Sequence, residues 1–247
     1  MTETLDVLAV GAHPDDAEIG CGGVLAQAAA AGLRTGVADL TAGDRATRGA
    51  PQQRSAERDR ATDVLGLAAR LGVGLPDGDL GTDPSHRDTV IDLIRQVRPA
   101  IVLAPYTEDR HPDHAAAGRL LREGSFLAGV ERIGDGKPHR PSRLYHYMVH
   151  QPFSPSFVVD ISAVWDRKLE AILSYRSQFG TQDLEPETAL AGGVFLSVIE
   201  ARARFHGAMV GAERGEPFHT PGPVPLGFLP GVHDLGIDDG GSYRMFQ

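Results

Sequence analysis

The chain has 247 residues, 41% of them hydrophobic and 23% charged, with a formal net charge of −9 at pH 7 and one cysteine, Cys21. That length buries a sizeable core without staples, and a single cysteine excludes an intrachain disulfide or a cysteine-rich zinc site. The negative balance argues against nucleic acid or an acidic membrane as partner, and no apolar run approaches the roughly 20 residues that span a bilayer. Met1-Thr2-Glu3-Thr4 lacks the basic segment of a signal peptide, so a cytoplasmic protein is expected.

Leu5 to Val10 is short, apolar and rich in strand formers, which reads as a buried parallel strand. Asp15 to Gly32 carries alanine and leucine at helical spacing and stops at a glycine. Arg34 to Leu40 reads as a second strand, completing a right-handed βαβ unit. Thr41 to Gln53 is a polar loop over the same sheet edge, and Arg54 to Leu67 is a charged amphipathic helix. A short strand at Ala69 to Val73 precedes a Pro/Gly turn within Leu75 to Leu80. His86 to Val97 reads as a helix stopped before Pro99, and Ala100 to Pro105 as the next buried strand.

A loop then leads into a helix over Ala115 to Leu121, and Gly129 to Ser142 is an exposed connection. Leu144 to Val149 and Phe157 to Ile161 read as strands, and Val164 to Arg176 and Glu187 to Phe205 as helices. From Gly211 onward the chain is dense in Gly and Pro, which predicts a tail that wraps the surface, covers the site or meets another subunit. Alternating strands and helices predict a single α/β domain over 1–247, with a tail at 211–247. Its architecture is a Rossmann-like three-layer sandwich, a mostly parallel twisted sheet with helices on both faces.

Two polar clusters stand directly after buried-type strands, where open α/β sheets build their sites. The first is Gly11-Ala12-His13-Pro14-Asp15-Asp16-Ala17-Glu18 and the second Arg110-His111-Pro112-Asp113-His114. A lone His-Pro-Asp is usually a turn, and an Asp at a helix start is usually an N-cap. Two such clusters suggest one metal centre assembled from both. His13 and Asp16 lie one helical turn apart, and His114 could supply a third ligand. Two histidines and a carboxylate suit a catalytic zinc with an open position, and ferrous iron or another divalent metal accepts the same set.

Asp15 is then the carboxylate left over, suited to act as general base towards a water at the ion. His111 as an imidazolium could stabilise a tetrahedral intermediate, with Asp113 accepting a hydrogen bond from it. Glu18 reads as a first-turn residue favoured by the helix dipole, Cys21 as a small packing residue, and the remaining histidines, His150 among them, as structural.

Together these motifs resemble the LmbE-like (PIG-L) family of zinc-dependent N-deacetylases, which act on N-acetylglucosamine groups within larger conjugates. The resemblance runs along nearly the whole chain. It implies metal ligation by His13, Asp16 and His114, proton transfer by Asp15, oxyanion assistance by His111 with Asp113 as its partner, and a substrate contact at Arg54. Leu75-Pro76-Asp77-Gly78, Asp160-Ile161-Ser162, Tyr175-Arg176-Ser177-Gln178-Phe179 and Gly211 to Phe218 look most like the bacillithiol-pathway branch. That branch deacetylates N-acetylglucosaminyl malate. Sister branches take the inositol conjugate of mycothiol, diacetylchitobiose or antibiotic precursors.

Arg45, Arg48, Arg54, Arg58 and Arg110 fall in or beside the loops over the sheet edge, which suits an anionic aglycone, though Arg58, like Arg60, reads better as solvating a helix face. Arg54, Arg110 and Asp77 are the expected substrate contacts. The resemblance also implies a homo-oligomer, a hexamer among the candidate forms.

Three other readings compete. A dinucleotide oxidoreductase would need G-x-G-x-x-G at the first strand-to-helix turn, whereas Gly20, Gly22 and Gly23 follow the helix start. A metal- or sugar-binding module would not need Asp15 beside its ligands. A glycosidase built on two carboxylates would leave His13, His111 and His114 unused.

Overall fold

The computed structural model describes residues 4–180 and 193–224. Among the described residues seven strands form one sheet: β1 (Val7–Gly11), β2 (Thr35–Asp39), β3 (Ala69–Gly72), β4 (Ile101–Pro105), β5 (Arg143–Tyr147), β6 (Phe157–Asp160) and β7 (Gly215–His219), in the order β3-β2-β1-β4-β5-β7-β6. The five strands from β3 to β5 are parallel, and β7 runs antiparallel to both neighbours.

The central position of β1 follows from its composition, because all five residues are buried. Leu8 and Val10 pack on one face with Ile91 and Ile94 of α3 (Ser85–Val97) and Leu121 of α4 (Pro112–Leu127). Val7 and Ala9 pack on the other with Leu25 of α1 (Asp16–Ala30), Leu65 of α2 (Pro51–Leu65) and Ile172 of α5 (Trp165–Leu173). Burying a Leu or Ile side chain is worth about 1.5–3 kcal/mol, so a strand apolar on both faces is held between two helical layers.

Strand order reverses between β1 and β4, which pair directly, Val7 opposite Ile101 and Ala9 opposite Leu103. A crevice opens outside the carboxyl ends of the strands at such a switch point. Both polar clusters therefore leave the sheet side by side.

The glycines of α1 serve close packing. A Cβ on Gly20 would lie 2.0 Å from the Tyr147 ring, and one on Gly23 would lie 2.8 Å from Ile161. The helix is broken at Cys21 (φ −144°, ψ 18°), and long side chains from distant elements take up the freed backbone groups. Lys168 Nζ and Arg202 donate to Ile19 O, while the Glu216 carboxylate accepts from Gly23 N and Val24 N. Lys168 also pairs with Glu216.

Several elements depart from the sequence reading. Helix α4 starts at Pro112, so Asp113 and His114 occupy its first turn instead of a loop; Pro and Asp suit a turn and a helix start equally. The helix expected over Val164 to Arg176 divides into a 3₁₀ turn (Ser162–Val164), α5, and α6 (Arg176–Phe179). The break lets buried Tyr175 reach Glu18, and lets Ser177 bond Glu57 of α2. The later helix, α7, runs Val194–Met209; residues 187–192 of that expectation lie outside the described residues. The stretch after Gly211 does not simply wrap the surface: Gly215–His219 inserts between β5 and β6 as β7, and 225–247 lie outside the described residues.

Candidate functional site

His13, Asp15 and Asp16 stand where β1 meets α1. Asp15 is the N-terminal flanking residue of α1, with φ 109° and ψ −24°. Among the described non-glycine residues only Asp15 and Arg98 have positive φ. That conformation costs of order 1–3 kcal/mol and recurs at functional sites. It lets the chain reverse so that His13 N donates to Asp16 Oδ2 at 2.9 Å, folding the imidazole and the carboxylate onto each other.

His114 Nε2 lies 3.2 Å from Asp16 Oδ1, and His13 Nδ1 lies 3.7 Å from Asp16 Oδ2. The three expected ligands therefore converge across the β1–β4 boundary. His111 lies beside them, its ring 4.9 Å from that of His13 and 4.6 Å from that of His114. Among the described residues, two groups have their ligand atoms all within 4.8 Å of one another: His13, His111 and His114, and His13, Asp77 and Asp113.

The outer nitrogens carry the stronger evidence of fit. His13 Nε2 is 3.2 Å from both Asp77 Oδ1 and Asp113 Oδ2, and His114 Nδ1 is 3.2 Å from Asp109 Oδ1. Carboxylates behind both imidazoles leave His13 Nδ1 and His114 Nε2 facing Asp16, the orientation that metal-bound histidines take. The donor set fits a divalent cation.

The surrounding charge acts on every group. Burial alone would lower the His13 imidazole, but hydrogen bonds to Asp113 and Asp77 raise it to about 10. His114 is likewise lowered by burial and raised more strongly by Asp16 and Asp109, to about 9. Burial raises Asp16, but the charge and hydrogen bond of His114 hold it well below the usual carboxylate range. Asp15 moves the opposite way, to about 7, because burial and the neighbouring Asp16 charge outweigh Arg54 and His13. Two adjacent carboxylates are thus separated by environment, one anionic and one able to exchange a proton near neutral pH.

His111 departs from the imidazolium expected. Burial and the charges of His114 and His13 push it towards its neutral form. Its Nδ1 accepts from Asp113 N at 3.2 Å, so the neutral ring carries its proton on Nε2 and remains a donor. Asp113 also departs: its carboxylate accepts from Gly78 N and Leu80 N and meets His13, and it is the Asp113 backbone, not its side chain, that orients His111.

A cavity of about 330 Å³ opens on these groups, lined by His13, Asp15, Asp16, His111 and His114, and further out by Arg45, Arg48, Asp77, His150 and Gln178. Arg54 lines it too, yet is buried and donates to Gly43 O at 2.7 Å and Pro14 O at 3.0 Å, holding the loops of the first cluster. Asp77 is engaged by His13 and by Arg45 N. Arg110 is exposed and is not among the residues lining this cavity.

The sequence reading missed Asp109 and His150. The His150 ring stacks on His114 at 5.2 Å, and burial lowers it to about 4. Asp109 had a legible signal, an acid immediately before the second cluster. His150 had none.

Residues 8–124, which contain both clusters, match the family described as PIG-L, GlcNAc-PI de-N-acetylase. A diacetylchitobiose deacetylase of Thermococcus kodakarensis is 31% identical over 189 residues, covering 70% of either chain. A 4-oxalmesaconate hydratase of Pseudomonas putida is 28% identical over 78% of this chain and 81% of its own. A 1D-myo-inositol 2-acetamido-2-deoxy-alpha-D-glucopyranoside deacetylase of Streptomyces griseus is 25% identical over 84% and 75%. Among solved structures, the conserved protein TT1542 from Thermus thermophilus superposes with a TM-score of 0.84 at 42% identity, over 92% of this chain and 98% of that one. With the paired clusters at the switch point and these likenesses together, the chain belongs to the PIG-L family of de-N-acetylases.

Proposed function

We propose that the protein is a metal-dependent hydrolase that removes the acetyl group from an N-acetylglucosaminyl conjugate, releasing acetate. The observation that carries this reading is Asp15, a buried carboxylate beside the candidate ligands, held near neutral in the wall of the cavity. Pure metal binding leaves such a group without a task.

His13, Asp16 and His114 would hold the ion, zinc in this reading with ferrous iron as the alternative, and when bound it supplies Lewis acidity for the acetyl carbonyl and the attacking water. Asp15 takes a proton from that water as its oxygen attacks the carbonyl carbon. His111 Nε2–H donates to the carbonyl oxygen as it gains negative charge. Asp15 then delivers the proton to the sugar nitrogen as the C–N bond breaks, leaving acetate and a free amine. Asp77 and Asp113 keep His13 oriented, and Arg54 keeps the loops in place.

The aglycone proposed is malate, making the product the glucosaminyl malate of bacillithiol biosynthesis. Its support is charge: Arg45 and Arg48 line the cavity outside the reacting groups, and arginine binds carboxylates through paired hydrogen bonds. Diacetylchitobiose and the inositol conjugate are supported at least as well by the relatives named above. The reading extends to a cytoplasmic homo-oligomer, a hexamer among its forms. Exposed Val194, Val198, Phe205 and Met209 on α7 support self-association, and among the described residues no helix is long and apolar enough to cross a membrane.

One experiment separates these readings. Zinc-reconstituted protein is given the malate, inositol and chitobiose substrates in parallel, and acetate and free amine are measured. Fastest release from the malate conjugate, abolished by a chelator and restored by zinc, is expected. Faster release from either neutral substrate reassigns the aglycone. Hydration of 4-oxalmesaconate without any acetate release overturns the deacetylase reading.

A further inference from the structure

We propose that Asp109 is a positioning residue for the metal centre, fixing the proton of His114 on Nδ1 so that Nε2 presents a lone pair to the ion. The proposal rests on the reading of His114 as a ligand. Asp109 lies in the turn between β4 and α4, five residues before His114, and its side chain is 1% exposed against 3% for His114.

Each carboxylate oxygen of Asp109 faces two N–H groups. Oδ1 accepts from His111 N at 2.9 Å and lies 3.2 Å from His114 Nδ1. Oδ2 accepts from His150 N at 3.0 Å and Gln151 N at 3.1 Å. An ionised carboxylate has only acceptor capacity, so His114 Nδ1 must donate. A ring deprotonated to bind a metal then has a bare Nε2, and Nε2 is the atom 3.2 Å from Asp16 Oδ1.

The geometry has a counterpart on the other imidazole. His13 has Asp77 and Asp113 behind Nε2 and turns Nδ1 inward. The two histidines thus use opposite ring nitrogens, and in each case a carboxylate selects which. Asp109 has a second consequence: it ties the turn after β4 to the one after β5, setting the His150 ring against His114.

Asp109→Asn keeps the shape and removes the uniform acceptor character. An amide has one acceptor oxygen and one donor nitrogen, so with nitrogen towards His114 the imidazole proton must move to Nε2, where it blocks ligation. With oxygen towards His114, the amide nitrogen instead confronts His150 N and Gln151 N.

The test is zinc affinity by chelator competition on wild type, Asp109→Asn and His114→Ala. The expected result is tight stoichiometric zinc in wild type, about 10–100-fold weaker binding in Asp109→Asn, and loss of the site in His114→Ala. A purely structural role for Asp109 lowers the melting temperature and leaves the zinc affinity of the folded protein unchanged. Wild-type affinity in Asp109→Asn, with the site lost in His114→Ala, overturns the Asp109 proposal alone. Wild-type affinity in His114→Ala overturns the underlying ligand reading. Should Asp109→Asn fail to fold, long-range ¹H–¹⁵N correlation spectra of zinc-loaded wild type decide: a proton on His114 Nδ1 supports the proposal, and one on Nε2 overturns it.

Discussion

Asp15 and Asp16 differ by one position in the chain and by opposite shifts in acidity. Asp16 faces two imidazoles and is held anionic; Asp15 is buried beside that charge on a strained backbone, and its carboxyl is raised to about 7. General-base catalysis is typically worth about 10²–10⁴-fold, so Asp15→Asn should lose turnover by that factor while zinc content stays stoichiometric. Acetate release measured beside metal analysis checks it; near-normal turnover would remove Asp15 from the mechanism. The residue types of the site were legible in the sequence because both clusters are contiguous. The partners of His13 were not: Asp77 and Asp113 reach it from 64 and 100 positions away, and no local pattern encodes that distance.

At the scale of elements, the site depends on an interrupted helix. The first turn of α1 carries Asp16 and Glu18, and the break at Cys21 is held by Lys168 of α5, Arg202 of α7 and Glu216 of β7. Glu18, read in the sequence as a dipole-favoured residue, is also fully buried and paired with Arg70 and Tyr175. Removing one member of a buried ion pair typically costs about 3–5 kcal/mol, because the other charge is left without compensation. Glu216→Ala should therefore destabilise by about that much in urea unfolding. Lys168→Met combined with Glu216→Leu should recover part of the loss, and a single variant as stable as wild type would show that the clamp is idle. Glu216 could not be assigned this part from sequence, since it lies 193 residues from the backbone donor at Gly23 and within a stretch that reads as tail.

For the whole molecule, acid sensitivity follows from a buried histidine away from the candidate metal centre. His146 on β5 is 2% exposed and bonds Pro105 O; burial lowers it from 6.5 to about 4 despite that bond. The unfolded chain therefore binds this proton first as pH falls. Stability is complete above about pH 6.5 and declines towards pH 4, by up to about 3 kcal/mol from this group. His146→Gln should flatten that part of the stability–pH curve, measured by urea midpoints at pH 7, 5.5 and 4. An unchanged slope would assign the acid loss to other groups.

By itself the sequence determined the α/β class, the alternation of elements, the two clusters at strand ends and the family they resemble, because periodicity, caps and strand-end motifs are local properties of the chain. The tertiary structure alone decided that β7 inserts between β5 and β6, that α1 breaks at Cys21, and that Asp77, Asp109 and Asp113 stand behind His13 and His114. It also withdrew Arg110 from the cavity and turned Arg54 to backbone carbonyls. These outcomes rest on contacts between distant residues, which form only when the packed sheet fixes where each loop leaves it.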